Sequence, residues 1–500
     1  MLLDQYGMPI KHQRARRSYS AASTNTRLSL WSSNATSANT EVLAGAAKMR
    51  GRVRDLVRNN PHAASIVNSL AYYLIGTGIR PQWEDSRAQQ LWDDWSPYCC
   101  ADAGGMDVYG LESLAVRAWS SDGGVLMRRY YRRRSDGLPV PISLQVLEED
   151  YLDGSKDGVL RNGRRIVGGI EFDRLGNRTG YWMLKEHPGE QIARLSFADT
   201  VFVRADSVAH LYQETRPGQV RSVSMLAPVV AALWDLGGYQ DAERMRKRGE
   251  ACYMAAVTGG DPDDVSTDYS ADGIGDTSAT DASGNPIDEL QPGMIAYLPP
   301  YKEITFNAPK ASPGYAEFIR TSLHEITAGA GLPYEIGTGD LTQVNFSSIR
   351  MGMIRFRLMC KILRQQVIIP MFCRPLARWF IDAAQAANAL PVGRYDYTWS
   401  EPAIEEVDRL KDAAADQQQM RDGTASWHEI VAAKGKNPEK LLEEIAAERA
   451  RFKELGVKLD SDPNQSTMSG DSPAVRAMLF DMLENNEINP QNTRNFLTSR

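Results

Sequence analysis

Cysteine is scarce in this chain. Cys99, Cys100, Cys252, Cys360 and Cys373 form an odd set in 500 residues, with no Cys-x-x-Cys spacing. Neither a disulfide framework nor a zinc site is expected, and a reducing compartment fits. Long apolar runs are missing too: none reaches the ~18 residues needed to span a bilayer, so no membrane segment is expected. Basic residues at Lys11, Arg14, Arg16 and Arg17 are not followed by an apolar stretch, which argues against a secretory leader. Catalytic signatures are equally sparse. His12, His62, His187, His210, His324 and His428 stand alone, and His324-Glu325 lacks the second histidine of a zincin. Gly435-Lys436 runs into Asn437, so no Walker A motif is completed, and no Gly-x-Ser-x-Gly elbow occurs. The expectation is no catalytic residue, no cofactor and no metal.

What is present is ordinary for a globular chain: 42% hydrophobic and 24% charged residues, with a net charge of −6. The length predicts about three domains or sub-domains, with ample chain for a core. The acidic balance counts against a conventional duplex-gripping domain, which is usually basic.

The rest of the chain is organised around a helix predicted over 347–369 and ended by Pro370. Ile349, Met353, Phe356, Cys360, Leu363 and Val367 recur at steps of four and three and share one face. Met351, Ile354, Leu358, Ile362 and Ile369 fall roughly opposite, and Arg350, Arg357, Lys361 and Arg364 lie between, where arginines would snorkel to solvent. A helix apolar on two sides should be clamped between two layers, or between its own subunit and a neighbour. Ahead of it, a helix over about 315–328 ends in glycines and Pro333. A flexible loop should follow, carrying Gly337, Thr338, Gly339, Asp340, Thr342 and Gln343.

Residues 1–40 are rich in Ser, Thr, Asn and Ala and read as an arm without a core of its own. Asn60-Pro61 is a cap-then-first-turn signal opening a helix that Gly76 and Gly78 end. Residues 123–212 read as strands: a hairpin turning at Ser135-Asp136-Gly137, a tight turn at Asn162-Gly163, and a second hairpin from 168–172 and 180–184. The run Arg128-Arg129-Tyr130-Tyr131-Arg132-Arg133-Arg134 could grip nucleic acid, though a charge-protected strand edge explains it as well. A helix over about 225–256 carries Arg244, Arg246, Lys247 and Arg248. Residues 259–293 then hold nine acids and no Lys or Arg, including Asp261, Asp263, Asp264, Asp268 and Asp272. Asp268, Ser270, Asp272, Gly273 and Asp276 imitate a calcium loop, but its twelfth position is Ala279, so a solvated acidic protrusion is the better reading. Residues 399–455 read as helical, charged and Ala-rich, with a helix start at Asn437-Pro438, and 459–475 as a linker.

Several stretches together resemble the lambda-type portal proteins of tailed phages: VRNNPHAASIVNSLAYYLIGTGIRPQ, LQVLEEDYLDG, GGIEFDRLGNRTGYWMLKEHPGE and GLPYEIGTGDLTQVNFSSIRMG. The resemblance covers roughly 41–455. It implies an α+β portal fold, with a mainly helical stem and crown, a strand-containing wing and a clip, assembled as a ring. On that plan 1–40 is the arm, 41–224 the wing, 225–258 the first stem helix and 259–310 the clip with its acidic loop. The second stem helix is 311–330, a tunnel-type loop 331–346, the long helix 347–398, the crown 399–458, and 459–500 a linker and tail. The implied ring, commonly of twelve subunits, sits at one capsid vertex of the virion after assembly in the host cytoplasm. Double-stranded DNA passes its axis, and the terminase large subunit, head-completion or neck proteins and the major capsid protein are the implied partners. A net acidic chain does not conflict with a channel through which DNA must slide. Two other readings stay open: a phage-encoded hydrolase, and a structural head or tail ring without DNA passage.

Overall fold

The computed structural model describes residues 35–101, 105–190, 199–252, 255–258, 295–298, 314–342, 346–402 and 409–457. In chain order, α1 (Ala38–Asn59) and α2 (Pro61–Leu74) lead to β1 (Arg80–Trp83), α3 (Ser86–Trp95) and α4 (Val108–Asp122). Strands β2 (Gly124–Tyr131), β3 (Ile142–Glu148), β4 (Gly158–Val159), β5 (Arg165–Val167), β6 (Ile170–Phe172), β7 (Arg178–Leu184), β8 (Thr200–Arg204) and β9 (Val208–Tyr212) follow. Next come α5 (Val230–Cys252), β10 (Ala255–Thr258), β11 (Ile295–Leu298), α6 (Tyr315–Gly329) and α7 (Tyr334–Thr338). The last described elements are α8 (Phe346–Leu363), a π-helical segment Arg364–Cys373, α9 (Arg374–Ala386), β12 (Tyr397–Ser400), α10 (Arg409–Arg421), α11 (Trp427–Ala433) and α12 (Pro438–Leu455).

Local chemistry sets many of these boundaries. Asn60 Oδ1 accepts from the backbone N–H groups of His62 and Ala63, so α2 starts at Pro61 as the sequence predicts. Asn437 caps α12 through the Lys440 N–H, with Pro438 in the first turn. The predicted hairpins also form: Gly137 and Gly163 take φ of 76° and 78°, backbone that a β-carbon disfavours. Strands β4 to β8 make a five-stranded antiparallel sheet in sequence order; a second sheet has the order β3-β2-β9.

By contact the chain divides into two units, each built from separated stretches of sequence. One comprises residues 1–66, 118–126 and 147–340. Its sheet core gathers Leu126, Ile170, Phe172, Tyr181, Met183 and Val203. The other comprises 67–117, 127–146 and 341–500. Its core is aromatic: Trp92 meets Phe380 edge-on at 5.0 Å and Trp95 at 5.4 Å, and Trp83 lies 4.5 Å from Tyr397. The last contact follows from antiparallel pairing of β1 with β12, so Trp399 and Ser400, expected to open the helical stretch 399–455, are strand.

Two further expectations on helix limits are corrected. The helix expected over 225–256 begins at Val230, and the chain is already strand at Ala255–Thr258, paired in parallel with β11. Pro370 does not end the central helix. Inside an α-helix, proline lacks an N–H and its ring collides with the carbonyl four residues back. Here the chain widens into π-helix, with the Arg374 N–H bonded to the Ile369 carbonyl five residues back, and helix continues to Ala386. The wider turns also shift the register. Ile369, expected on the same face as Met351 and Leu358, is buried where they are exposed.

Inside the second unit, Glu112 is fully buried and accepts from the Ile79 N–H at 2.9 Å, with the Cys373 sulfur 3.7 Å away. Burial pushes its carboxyl up to about 8, so at neutral pH the folded chain holds a proton that the unfolded chain releases. Stability should therefore fall as pH rises from about 4.5 to 8 and then level off. Glu112→Gln should flatten that slope, the difference approaching ~5 kcal/mol at the alkaline end. Melting curves from pH 5 to 9 check this; parallel wild-type and variant profiles would refute it.

Candidate functional site

The central helix has the two-sided character its sequence predicts, with the two sides in different environments. Phe356 is 2% exposed, and Cys360 and Leu363 are buried with it; Ile349 and Met353 are half-buried on the same face. Phe356 meets Tyr73 edge-on at 4.9 Å. Opposite them, Met351 (68%), Ile354 (54%), Leu358 (57%) and Ile362 (42%) are open. Their spacing of three and four residues lays them in one stripe along α8. The helix carries Arg350, Arg355, Arg357 and Lys361 and no acid. Arg364 does not snorkel: it is buried, donates to the Leu74 carbonyl at 2.8 Å and pairs with Glu401 at 3.0 Å.

The expected flexible loop is more ordered than its composition predicts. Gly337 and Thr338 belong to α7, and Gly337 is buried. A β-carbon there would approach Thr327 Cγ2 to 2.5 Å, so this glycine serves close packing. Tyr334 stacks on His324 at 4.0 Å, and its hydroxyl donates to Asp340 at 3.0 Å. Burial and the Asp340 carboxylate push that phenol up. Gly339 takes φ 73° as the helix stop, Thr342 is exposed, and Gln343 lies outside the described residues.

The basic run on α5 is largely answered within its own helix pair. Arg244 pairs with Asp241 at 2.7 Å, Arg246 with Glu243 at 2.5 Å, and Lys247 lies 5.9 Å over the Tyr315 ring; Arg248 is exposed. The basic run 128–134 is similarly engaged: Arg129 sits over Tyr131 and Trp379, and Arg132 donates to Ser143 at 2.8 Å. The acids Asp261, Asp263, Asp264, Asp268 and Asp272 lie outside the described residues.

Sequence reasoning missed a buried charge cluster. Glu149 is fully buried and accepts from Arg221 at 2.8 Å, Arg50 at 3.2 Å and His210 Nε2 at 2.9 Å. Burial pushes its carboxyl up, but Arg221 and His210 outweigh it and hold the group at about 2. Burial keeps His210 itself below its usual range, so a neutral ring donates Nε2–H to the carboxylate. Gly124 makes the room, because a β-carbon there would overlap the carboxylate. Nearby, Glu148, Asp150 and His187 are close enough to share a cation, yet Arg54 already pairs with both carboxylates at 2.8 and 2.7 Å.

Between α1 and α5 runs a groove of about 660 Å³. Met49, Leu56, Val230 and Trp234 line it, with Gly51 and Ala231 leaving depth and Arg52, Asp55 and Asp235 among its polar groups. Trp234 is 66% exposed. Among the described residues, no helix is long and apolar enough to cross a membrane.

The family described as phage portal protein, lambda family, matches residues 24–364. A probable portal protein of Halomonas phage phiHAP-1 is 26% identical over 461 residues, covering 85% of this chain and 84% of the relative. The portal protein of Escherichia phage N15 is 23% identical, covering 64% of this chain and 66% of the relative. Portal protein B of Escherichia phage lambda is 21% identical, covering 65% and 66%. Among solved structures, a chain from the neck of an empty gene transfer agent particle aligns over 78% of this chain and 93% of its own, at 15% identity and a TM-score of 0.42. On a family match that spans well over half its length, this chain belongs to the lambda family of phage portal proteins.

Proposed function

We propose that the chain forms a ring of about twelve copies at one capsid vertex of a phage-type virion. Its axis passes double-stranded DNA during packaging and ejection, and the ring docks the terminase large subunit, then head-completion proteins, against the major capsid protein. Assembly takes place in the host cytoplasm. The observation that carries this reading is α8 in a portal-family chain: one apolar face is spent on its own unit and the other is open for a neighbour. An end-on image of purified particles tests it. A closed ring with a hole wide enough for a duplex supports the channel; a plugged ring favours a structural role without DNA passage.

The segment from Gly339 to Gln343 is proposed to face the channel. It carries no Lys or Arg, and its one charge, Asp340, is negative. Such a surface meets moving phosphates without the counterion release that would trap them. Asp340→Lys with Gln343→Lys should leave ring shape unchanged and slow DNA translocation by a purified motor, the effect shrinking as salt rises. Tyr334→Phe loses the same Asp340 hydrogen bond without adding charge and serves as control. Wild-type packaging by the double-lysine ring at low salt would take this segment off the channel wall.

A further inference from the structure

We infer that the open stripe on α8 seats in the α1–α5 groove of the next copy in the ring. This rests on the ring reading above and names its contact. A closed ring of identical chains is held by a heterologous interface, in which two different patches of one chain meet on adjacent copies. Among the described residues, this chain offers two such patches without an apolar partner of their own. One is a ridge: Met351, Ile354, Leu358 and Ile362 project from one side of α8 along roughly 17 Å of helix, at 1.5 Å per residue. The other is a furrow: Met49, Leu56, Val230 and Trp234 wall the groove, and Gly51 and Ala231 keep it deep enough for branched side chains. An exposed tryptophan beside such a pocket is the residue type most enriched at interface hot spots.

Charge agrees with this pairing. The α8 ridge is flanked by exposed Arg350, Arg355 and Lys361, and the helix has no acid. The groove sets Asp55 and Asp235 against the single cation Arg52. Ridge against ridge would bring two tetracationic helices together, which like-charge repulsion disfavours. The pairing of unlike patches therefore fits better than a two-fold contact of α8 with itself.

The test uses cysteine pairs in full-length chains. One batch carries Leu358→Cys, another Ala231→Cys, both with Cys100 and Cys252 replaced by serine; both introduced positions are exposed, and native Cys99, Cys360 and Cys373 are buried. Rings co-assembled from the two batches and treated with a short bismaleimide should give a two-chain adduct on denaturing gels. Neither batch alone should give it, and a chain carrying both substitutions should yield a ladder of several chains. Rings without the mixed adduct overturn the inference. So does a Leu358→Cys chain linking to its own kind, or a peptide map placing residues 1–34 of the same chain on Ala231. If the cysteine chains fail to assemble, Trp234→Glu decides: ring yield should fall at least tenfold with the melting temperature of the isolated chain unchanged, and normal yield overturns the inference. Wild-type chains that never form rings would instead sink the ring reading itself.

Discussion

Glu149→Gln is expected to be among the most damaging single substitutions in the chain, lowering stability by about 3–5 kcal/mol at pH 7. The carboxylate is fully buried and answers two arginines, Arg50 and Arg221, that are themselves only 6% and 7% exposed in their side chains. An amide removes the negative charge and leaves the Arg221 guanidinium buried beside a neutral partner, while Arg50 keeps Asp150 at 3.1 Å. The penalty is that of uncompensated buried charge, larger than the net worth of the ion pair. Titration gives a second signature. The folded group sits at about 2 and the unfolded one near 4.5, so its stabilising contribution is complete above about pH 4.5 and is lost as pH falls toward 2. The gap between wild type and Glu149→Gln should therefore narrow on acidification, opposite in sense to the slope expected from Glu112. Thermal melts at pH 7 and pH 3.5 measure both. A Glu149→Gln chain that melts with wild type at pH 7 would show that the arginines find other partners.

The contrast between this cluster and the helix starts shows what a sequence can reveal. Asn60-Pro61, Asn437-Pro438 and the turns at Gly137 and Gly163 were legible because the deciding residues are neighbours in the chain. The partners of Glu149 lie 61, 72 and 99 residues away, and no local pattern links them. The two faces of α8 were legible from helical period alone, but which face is buried depends on Tyr73 and its neighbours, far off in sequence. Pro370 misled because the rule against proline holds for α-helical hydrogen bonding, and the chain adopts π-helix there. The glycines before α8 misled for a related reason: Gly337 looked like a source of flexibility, whereas its missing β-carbon lets α7 pack on Thr327.

Leu358→Asp is expected to abolish ring assembly while leaving the isolated chain folded. Leu358 is 57% exposed, so a carboxylate there keeps its water in the monomer, and the melting temperature should scarcely move. In a ring the same carboxylate would be buried among apolar side chains. At about 3 kcal/mol or more for each interface, association falls by over 100-fold at every contact around the ring. Phe356→Asp, two residues away, provides the comparison. Phe356 is 2% exposed and packed on Tyr73, so its replacement should unfold the second unit rather than merely block assembly. Sedimentation of both variants, with melting curves on the unassembled fraction, separates the two outcomes. Folded monomers from Leu358→Asp and unfolded chain from Phe356→Asp would mean that α8 holds its own unit with one face and a neighbour with the other. Normal rings of normal stability from Leu358→Asp would leave the outer stripe without a role in assembly.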